Sequence, residues 1–589
     1  MQADLAAALV AGSERVAAWA DLLDEINVFP VADGDTGRNL KISLAPLIST
    51  DGSTANWCRQ LVSVATGNSG NICAAFLSGF LPVVDDGPLG PAISKGRAAA
   101  WSAVADPKPG TMLTLFDVLD DALRVWPATP QKDDGDRLVD ILDRAVRSTP
   151  EQLPTLKAAG VVDAGALGMF IFFEGFFRRL LSDEARLVPV TSRFNGLLQV
   201  AFDNKTDGPC GYCVNTILTP LSDFAAGDIT AELGESVVTV ADGNRLRVHL
   251  HTTDQARTRD RLACLGQVVA WQADPLAADI PLGQGAGQNQ PVRVMTDAAG
   301  SLNRSQAKAL GAILLDSYLI VDGARIPETL ADPSRLYAAM NAGRPVSTAQ
   351  ASVYGRCQAY ESTLARYDHV LYLAVGSVYT GNVTTAGRWR ETCDQPDRFA
   401  IMDTGAASGR LGLIVRLVAE YARSADSMAP VKGFAATAVQ ACGELLFLDQ
   451  LKFLVAGGRL SRSKGFIGNL LGIKPIISPR PEGAVKVGSV HQASQQVGFA
   501  LDYLKKRFSR TDHPTFLLQY TDNQTRVTEK IRPAFENQFP EARIMVAPLS
   551  LTTGAHTGPG TWGVAFCPDL SNKLISEQSS CKSFDPSAS

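Results

Sequence analysis

The sequence predicts a multidomain protein: an all-α N-terminal region, a small α/β middle unit and a larger α/β C-terminal region. Three observations predict it. Residues 1 to about 190 carry long amphipathic stretches broken by Gly/Pro/Asp loops, with scarce strand-like alternation. Strand-like segments appear between about 191 and 285. From about 290, apolar runs lead into Gly/Ser-rich turns and then into helix-like runs, the βαβ alternation of an α/β sheet. A length of 589 residues agrees with several domains.

The N-terminal helices are read at Ser13 to Glu25, Arg59 to Thr66, Asn71 to Val83, Met112 to Val125, Asp136 to Ser148 and Ala166 to Leu181. Their apolar faces predict a helical bundle. Middle-unit strands are expected at Leu198 to Phe202, Val237 to Val240 and Leu246 to His251. In the third region Val292 to Thr296 runs into Asp297, Val370 to Val375 into Gly376-Ser377, and Phe399 to Met402 into Asp403-Thr404 and a helix over Leu411 to Ala422. Ligands of such sheets bind beyond the carboxyl ends of the strands. The resulting domains are 1–190, 191–285 and 290–567, with 568–589 as a loose Ser/Lys/Asp-rich tail.

Composition is that of a globular protein, 46% hydrophobic and 20% charged. A net charge of −5 with no basic run offers no electrostatic footprint for nucleic acid. No run approaches the roughly 18 apolar residues of a membrane span, so membrane contact is peripheral at most. Asp4 and the absence of an early Lys or Arg argue against a signal peptide. Ten cysteines without regular spacing fit a reducing cytoplasm.

The segment Asn27 to Asn39 reads NVFPVADGDTGRN. Asp33 and Asp35 stand two apart, Asn27 lies upstream, and Gly34 and Gly37 let the backbone bend so that oxygens converge. Hard cations such as Mg²⁺ are held by few carboxylates plus substrate phosphates. A solvated turn ahead of a helix is the plain alternative. An EF-hand does not fit, because Leu44 stands where the bidentate Glu would be. Gly67-Asn68-Ser69-Gly70 precedes an apolar helix, and N–H groups at a helix start form an anion site. Ser69 could equally be an N-cap. Thr111 and Asp163-Ala164-Gly165 read, on their own, as capped helix starts. His249 and His251, two of only six histidines, point to one face of a strand. Cys210 and Cys213 form a C-x-x-C pair without the strand-then-helix context of redox chemistry.

NVFPVADGDTGRN resembles the Mg-nucleotide signature of bacterial fatty acid kinases, whose N-terminal domain is related to the ATP-binding (DhaL-type) subunit of dihydroxyacetone kinases. Gly67 to Gly70 and Ala159 to Gly165 match in the expected order. Arg38 and the Ala65-Thr66 pair depart from the pattern. The resemblance implies a barrel of antiparallel helices with nucleotide at one end. It implies Mg²⁺ at Asn27, Asp33 and Asp35, and ATP near Thr36, Gly37, Asn39, Asn68, Ser69, Gly70, Thr111, Asp163 and Gly165. In the middle domain Cys213 matches the family's metal-type cysteine. With His249 and His251 it makes a set suited to Zn²⁺.

Residues 290–567 resemble the DegV family, a two-lobed α/β fold that is the fatty-acid-binding partner of the kinase. Thr296, Asp297, Thr348, Ser377, Thr380, Gly381, Arg459 and His556 match ligand-head positions, while Ala298 and Ala349 depart from the pattern. Two components that are usually separate chains are thus expected in one. The implied reaction is ATP-dependent phosphorylation of a bound fatty acid to an acyl phosphate, handed to an acceptor enzyme. The expected assembly is a homodimer. A fatty acid carboxylate is ionised at neutral pH and needs no general base. Arg459 and His556 are the residues expected to meet charge at the head group. The alternatives are a non-catalytic lipid-binding sensor regulated by nucleotide, and a dihydroxyacetone kinase, against which the absence of a sugar-binding-like domain speaks.

Overall fold

The computed structural model describes residues 2–48, 53–85, 87–200, 211–221, 233–276, 290–456 and 473–570. It divides into two units, residues 1–284 with 354–366, and residues 285–353 with 367–589.

The first unit begins with twelve helices and four strands. The helices are α1 (Gln2–Glu25), α2 (Thr36–Leu44), α3 (Thr54–Val64), α4 (Gly67–Val84), α5 (Leu89–Ala103), α6 (Met112–Leu123), α7 (Lys132–Arg147), α8 (Thr149–Gln152), α9 (Pro154–Ala159), α10 (Ala164–Leu180), α11 (Val190–Arg193) and α12 (Gln255–Leu265). α10 is apolar nearly all round and is buried along almost its whole length, as a central helix must be. α1 can lie against it because glycines meet at the crossing. A Cβ on Gly12 would fall 2.6 Å from the Phe172 carbonyl oxygen, and one on Gly175 would fall 3.1 Å from the Gly12 Cα. Aromatic packing extends this core, with Phe76 stacked on Phe116 at 4.3 Å and edge-on to Phe173 at 5.6 Å.

The strands β1 (Tyr212–Pro220), β2 (Glu235–Asp242), β3 (Arg245–Thr252) and β4 (Gly266–Pro275) form an antiparallel sheet in the order β2-β3-β1-β4. Val238 and Val240 pack on Val62, Ala75 and Ala103 of the helices. Ala105 N–H donates to the Val237 carbonyl at 3.1 Å, and Arg247 Nη1 to the Ser63 carbonyl at 3.0 Å. The strand expected over Leu198 to Phe202 does not form. Leu198 and Gln199 are in a bend, Val200 is irregular, and residues 201 and 202 lie outside the described residues. Leu197 and Leu198 instead lean on the helical core, and Val162 N–H bonds to the Leu197 carbonyl. Their apolar character comes from that packing, not from a ladder.

Residues 354–366 lie within the stretch read as DegV-like, yet they fold with this first unit. Gln358 accepts from Arg15 Nη1 at 2.8 Å, Ser362 Oγ donates to the Ala18 carbonyl at 2.8 Å, and Arg366 pairs with Glu25 at 2.6 Å.

The second unit holds three sheets. A parallel sheet has the order β11-β10-β5-β6, from β5 (Arg293–Asp297), β6 (Ile313–Leu315), β10 (Val370–Ala374) and β11 (Phe399–Asp403). β5 and β10 are buried along their full length, as strands covered on both faces are. A small antiparallel sheet is β8-β7-β9, from β7 (Tyr318–Val321), β8 (Ala324–Pro327) and β9 (Val346–Ala349). A mixed sheet has the order β14-β13-β12-β17-β15-β16, from β12 (Gly443–Phe447), β13 (Lys474–Arg480), β14 (Gly483–Val490), β15 (Thr515–Tyr520), β16 (Arg543–Pro548) and β17 (Trp562–Cys567). The helix Ser408–Ala422 shares one core with Val294 and Leu373 of the parallel sheet and Leu517 and Ala565 of the mixed one. The protein is therefore multidomain, helical at its N-terminal end and α/β at its C-terminal end. Among the described residues no helix is long and apolar enough to cross a membrane.

Candidate active site

The acidic loop joins α1 to α2. Asp24 caps α2, accepting from Gly37 N–H at 2.7 Å and Arg38 N–H at 3.1 Å. That leaves Asp35, the residue before the helix, without a capping bond. Asn27 is buried, and its Nδ2 donates to Asp33 Oδ1 at 2.8 Å. Its Oδ1 is buried without a partner. Arg38 Nη2 is spent on the carbonyls of Asp33 and Gly34, at 3.3 and 2.9 Å. Burial first, and then the charge of Asp35, pushes the Asp33 carboxyl up to about 8. Two close carboxyl groups and an orphan amide oxygen are an oxygen-donor set short of positive charge. Asn27, Asp33 and Asp35 therefore fit a hard divalent cation.

The first turns of α2 and α4 lie side by side. Gly67 has φ +63°, and a Cβ there would fall 1.9 Å from Asn39 Nδ2, so glycine is required. Ser69 Oγ donates to the Thr36 carbonyl at 3.3 Å, and Gly70 packs on Ser43. Asn39 Nδ2 and Asn68 Oδ1 are buried without partners, on the same two turns as Thr36, Gly37, Ser69 and Gly70. Orphan amides beside the N–H groups at a helix start suit a phosphate-bearing ligand. Thr111 and Asp163 are N-caps. Thr111 Oγ1 accepts from Leu113 N–H at 3.3 Å and donates to the Lys108 carbonyl, and Asp163 accepts from Ala166 N–H at 2.7 Å. Burial pushes the Asp163 carboxyl up to about 7. Gly165 meets Met112, and Gly168, one turn on, meets Leu40 of α2.

On the four-stranded sheet, Cys213 stands opposite His251, and Asn215 opposite His249. The ligand atoms of Cys213, His249 and His251 lie within 4.8 Å of one another. His249 Nε2 and His251 Nδ1 are buried without partners. Burial lowers both histidines, His249 far below the usual imidazole range with His251 adding to it, while Asp35 and Glu235 work against the shift at His251. Cys213 is pushed up to about 12 by burial and then by the charges of Asp35 and Asp33. The acidic loop and the Cys/His face thus act on each other electrostatically within one unit. Neutral imidazoles with bare nitrogens beside a thiol fit Zn²⁺, whose charge would offset what raises the thiol. Cys210 lies outside the described residues.

In the second unit Thr348, on β9, meets His556, in the helix Leu551–Thr557, with Oγ1 3.2 Å from Nε2. The other described head candidates lie at the neighbouring ends of the parallel strands β5 and β10. Asp297 accepts from Tyr372 O–H, Val375 N–H and Asn382 Nδ2, all within 2.9 Å. Thr296 Oγ1 donates to the Leu373 carbonyl. These two residues brace the turn that carries Ser377, Thr380 and Gly381. Ser377 is exposed, with its N–H on Asp403, and Thr380 Oγ1 accepts from Asn382 N–H. Arg459 lies outside the described residues. Glu328 was not foreseen from the sequence. This buried carboxylate accepts from Ser317 Oγ at 2.6 Å and from Thr552 N–H and Oγ1, anchoring the start of the His556 helix. A lone Glu between short strands carries no motif.

Comparison with known proteins follows the same division. Residues 30–178 match the DAK2 domain, and residues 291–569 match the DegV family, described as uncharacterised. An uncharacterized protein of Staphylococcus haemolyticus is 28% identical over 284 residues, 41% of this chain and 49% of that protein. Protein YloV of Bacillus subtilis is 26% identical over 295 residues, 44% of this chain and 53% of YloV. The chain spans about half the length of the curated relatives it matches. Two solved structures are similar to about half of this chain. A fatty-acid-binding DegV family protein from Thermus thermophilus is 22% identical, covering 47% of this chain and all of that one with a TM-score of 0.44. The fatty acid kinase B3 protein of Streptococcus pneumoniae, loaded with linoleic acid, is 16% identical, covering 47% of this chain and 99% of its own with a TM-score of 0.41. One polypeptide thus carries a match to the DAK2 domain followed by a match to the DegV family.

Proposed function

We propose that the protein is a fused fatty acid kinase, which phosphorylates the carboxylate of a fatty acid held by its DegV-family domain. The observation that carries this reading is the uncompensated pair Asp33 and Asp35, in a DAK2 domain joined to a DegV-family domain. Mg²⁺ and ATP, when bound, would supply the phosphoryl group and neutralise its charge. Asn27, Asp33 and Asp35 would hold the cation. The first turns of α2 and α4 would receive the phosphates, with Asn39 and Asn68 completing their polar contacts. The substrate carboxylate is already ionised, so no residue needs to deprotonate it. Thr348 and His556 would take the head group, and Arg459 would offset negative charge as the acyl phosphate forms. Apolar burial of the tail would provide retention, at about 0.8 kcal/mol per CH₂. Zn²⁺ on the Cys213 face is part of the same reading.

The test is acyl phosphate formation by purified protein with Mg-ATP and a long-chain fatty acid, trapped with hydroxylamine. Asp35→Ala should lower it at least about a thousandfold, because positioning and charge neutralisation are nearly all of the catalysis. Its circular dichroism should match the parent. Undiminished turnover in that variant sinks the cation assignment. A parent that co-purifies with lipid yet never turns over ATP is a lipid-binding sensor instead.

A further inference from the structure

Asn215 is the fourth member of the Cys213 face, and no motif accounts for it. It lies two residues from Cys213 on β1, so both side chains leave the same side of the sheet. Across the ladder, Asn215 faces His249 and Cys213 faces His251, a two-by-two block of side chains. Asn215 is nearly buried, and its amide reaches both neighbours. Oδ1 lies 3.1 Å from His249 Nδ1, and Nδ2 lies 3.8 Å from Cys213 Sγ. An amide oxygen only accepts, so His249 Nδ1 carries the hydrogen. The neutral ring is then bare at Nε2, which is buried without a partner. The amide N–H groups point at the sulfur, the orientation that suits a thiolate.

We propose that Asn215 is a positioning residue for a metal on this face: it fixes His249 as the Nδ1–H tautomer, so that Nε2 is the ligand, and donates to the Cys213 thiolate. The inference rests on the zinc reading above. It adds the residue that orients two of the three ligands, the part that outer partners play at metal-bound histidines.

Cobalt(II) is the probe, because a tetrahedral cobalt–thiolate centre absorbs in the visible and near ultraviolet. The metal-free full-length parent, Asn215→Ala and Asn215→Asp are titrated with Co²⁺ against a competing chelator. The parent should bind one cobalt with a thiolate charge-transfer band. Asn215→Ala should bind about 10–100-fold more weakly, the usual cost of losing an outer partner. Asn215→Asp has the same shape and keeps an acceptor for Nδ1–H but loses the N–H that faces Cys213 Sγ, so it should recover only part of that loss, and it serves as the folded control. Equal affinity of Asn215→Ala and parent overturns the Asn215 assignment alone. An Asn215→Asp variant that binds cobalt as tightly as the parent overturns the donation to Cys213. A parent that takes up no cobalt removes the zinc reading and this inference with it.

Discussion

Two acidic regions of the first unit, one fully buried and one half-buried, are opposites. At Glu174, on the central helix α10, the carboxylate is fully buried and meets Arg15 at 2.5 Å and Arg193 at 3.5 Å. Arg15 is tied in turn to Gln358 and to the Val188 carbonyl. At Asp33, Arg38 is close but spends its guanidinium on loop carbonyls, and burial lifts the carboxyl to about 8. The second unit shows a third solution. Glu444 has no cation but accepts from Ser408 Oγ, Gly409 N–H, Arg410 N–H and Gln519 Nε2, at 2.7 to 3.1 Å. A buried carboxylate needs a cation, a set of donors or a proton. Where the fold supplies the first two, the acid is architecture. At Asp33 the fold supplies one donor, Asn27 Nδ2, and the carboxyl is left raised; the proposed cation would meet that shortfall.

The sharpest way to break this contrast is at Glu174. Arg15→Ala should cost about 3–5 kcal/mol of unfolding free energy, because it strands a buried carboxylate. The measurement is the denaturant midpoint of the first transition. A midpoint within error of the parent would mean that Glu174 is no better compensated than Asp33, and the distinction would fall. Arg459→Ala comes next. If the arginine acts on charge that develops during transfer, acyl phosphate formation should fall roughly a hundredfold while bound lipid is retained. Arg459→Lys should restore only part of it, since a point charge replaces a fork. Equal loss of lipid and of turnover would make Arg459 a ground-state anchor.

The helical half and the parallel strands were legible because their signals are local. An apolar stripe every 3.6 residues, or a buried run ending in a Gly/Ser turn, needs no partner to be read. The acidic loop was legible as a candidate because Asn27, Asp33 and Asp35 lie within nine residues. What could not be read depends on pairing across the chain. Asn215 meets His249 only through strand register, and Glu328 meets Thr552 across 224 residues. The first-unit helix at residues 354–366 looks like any α/β helix in sequence, since its polar anchors Gln358, Ser362 and Arg366 form no pattern. Asp297 carries a role that the sequence does not reveal. A carboxylate at a strand end reads as a ligand group, and this one, at the end of β5, also braces the turn after the neighbouring β10.

The smallest effect probes the intermediate case. Asp163 caps α10, yet burial outweighs the N–H groups of Ala166 and Gly165 and lifts its carboxyl from 3.8 to about 7. The folded value is raised, so the folded state holds the proton more tightly than the unfolded chain. The stability this gives is complete below about pH 3.8 and is lost as pH rises through about 7. Asn keeps the capping oxygen and does not titrate. Asp163→Asn should therefore gain on the parent as pH rises from 5 to 7.5, by about 2 kcal/mol at about 1.4 kcal/mol per pKa unit. Paired melts at the two pH values measure it. A difference that does not change with pH would place Asp163 with Glu174, as an acid that the fold holds with its own groups, and would leave Asp33 as the raised carboxyl of this comparison.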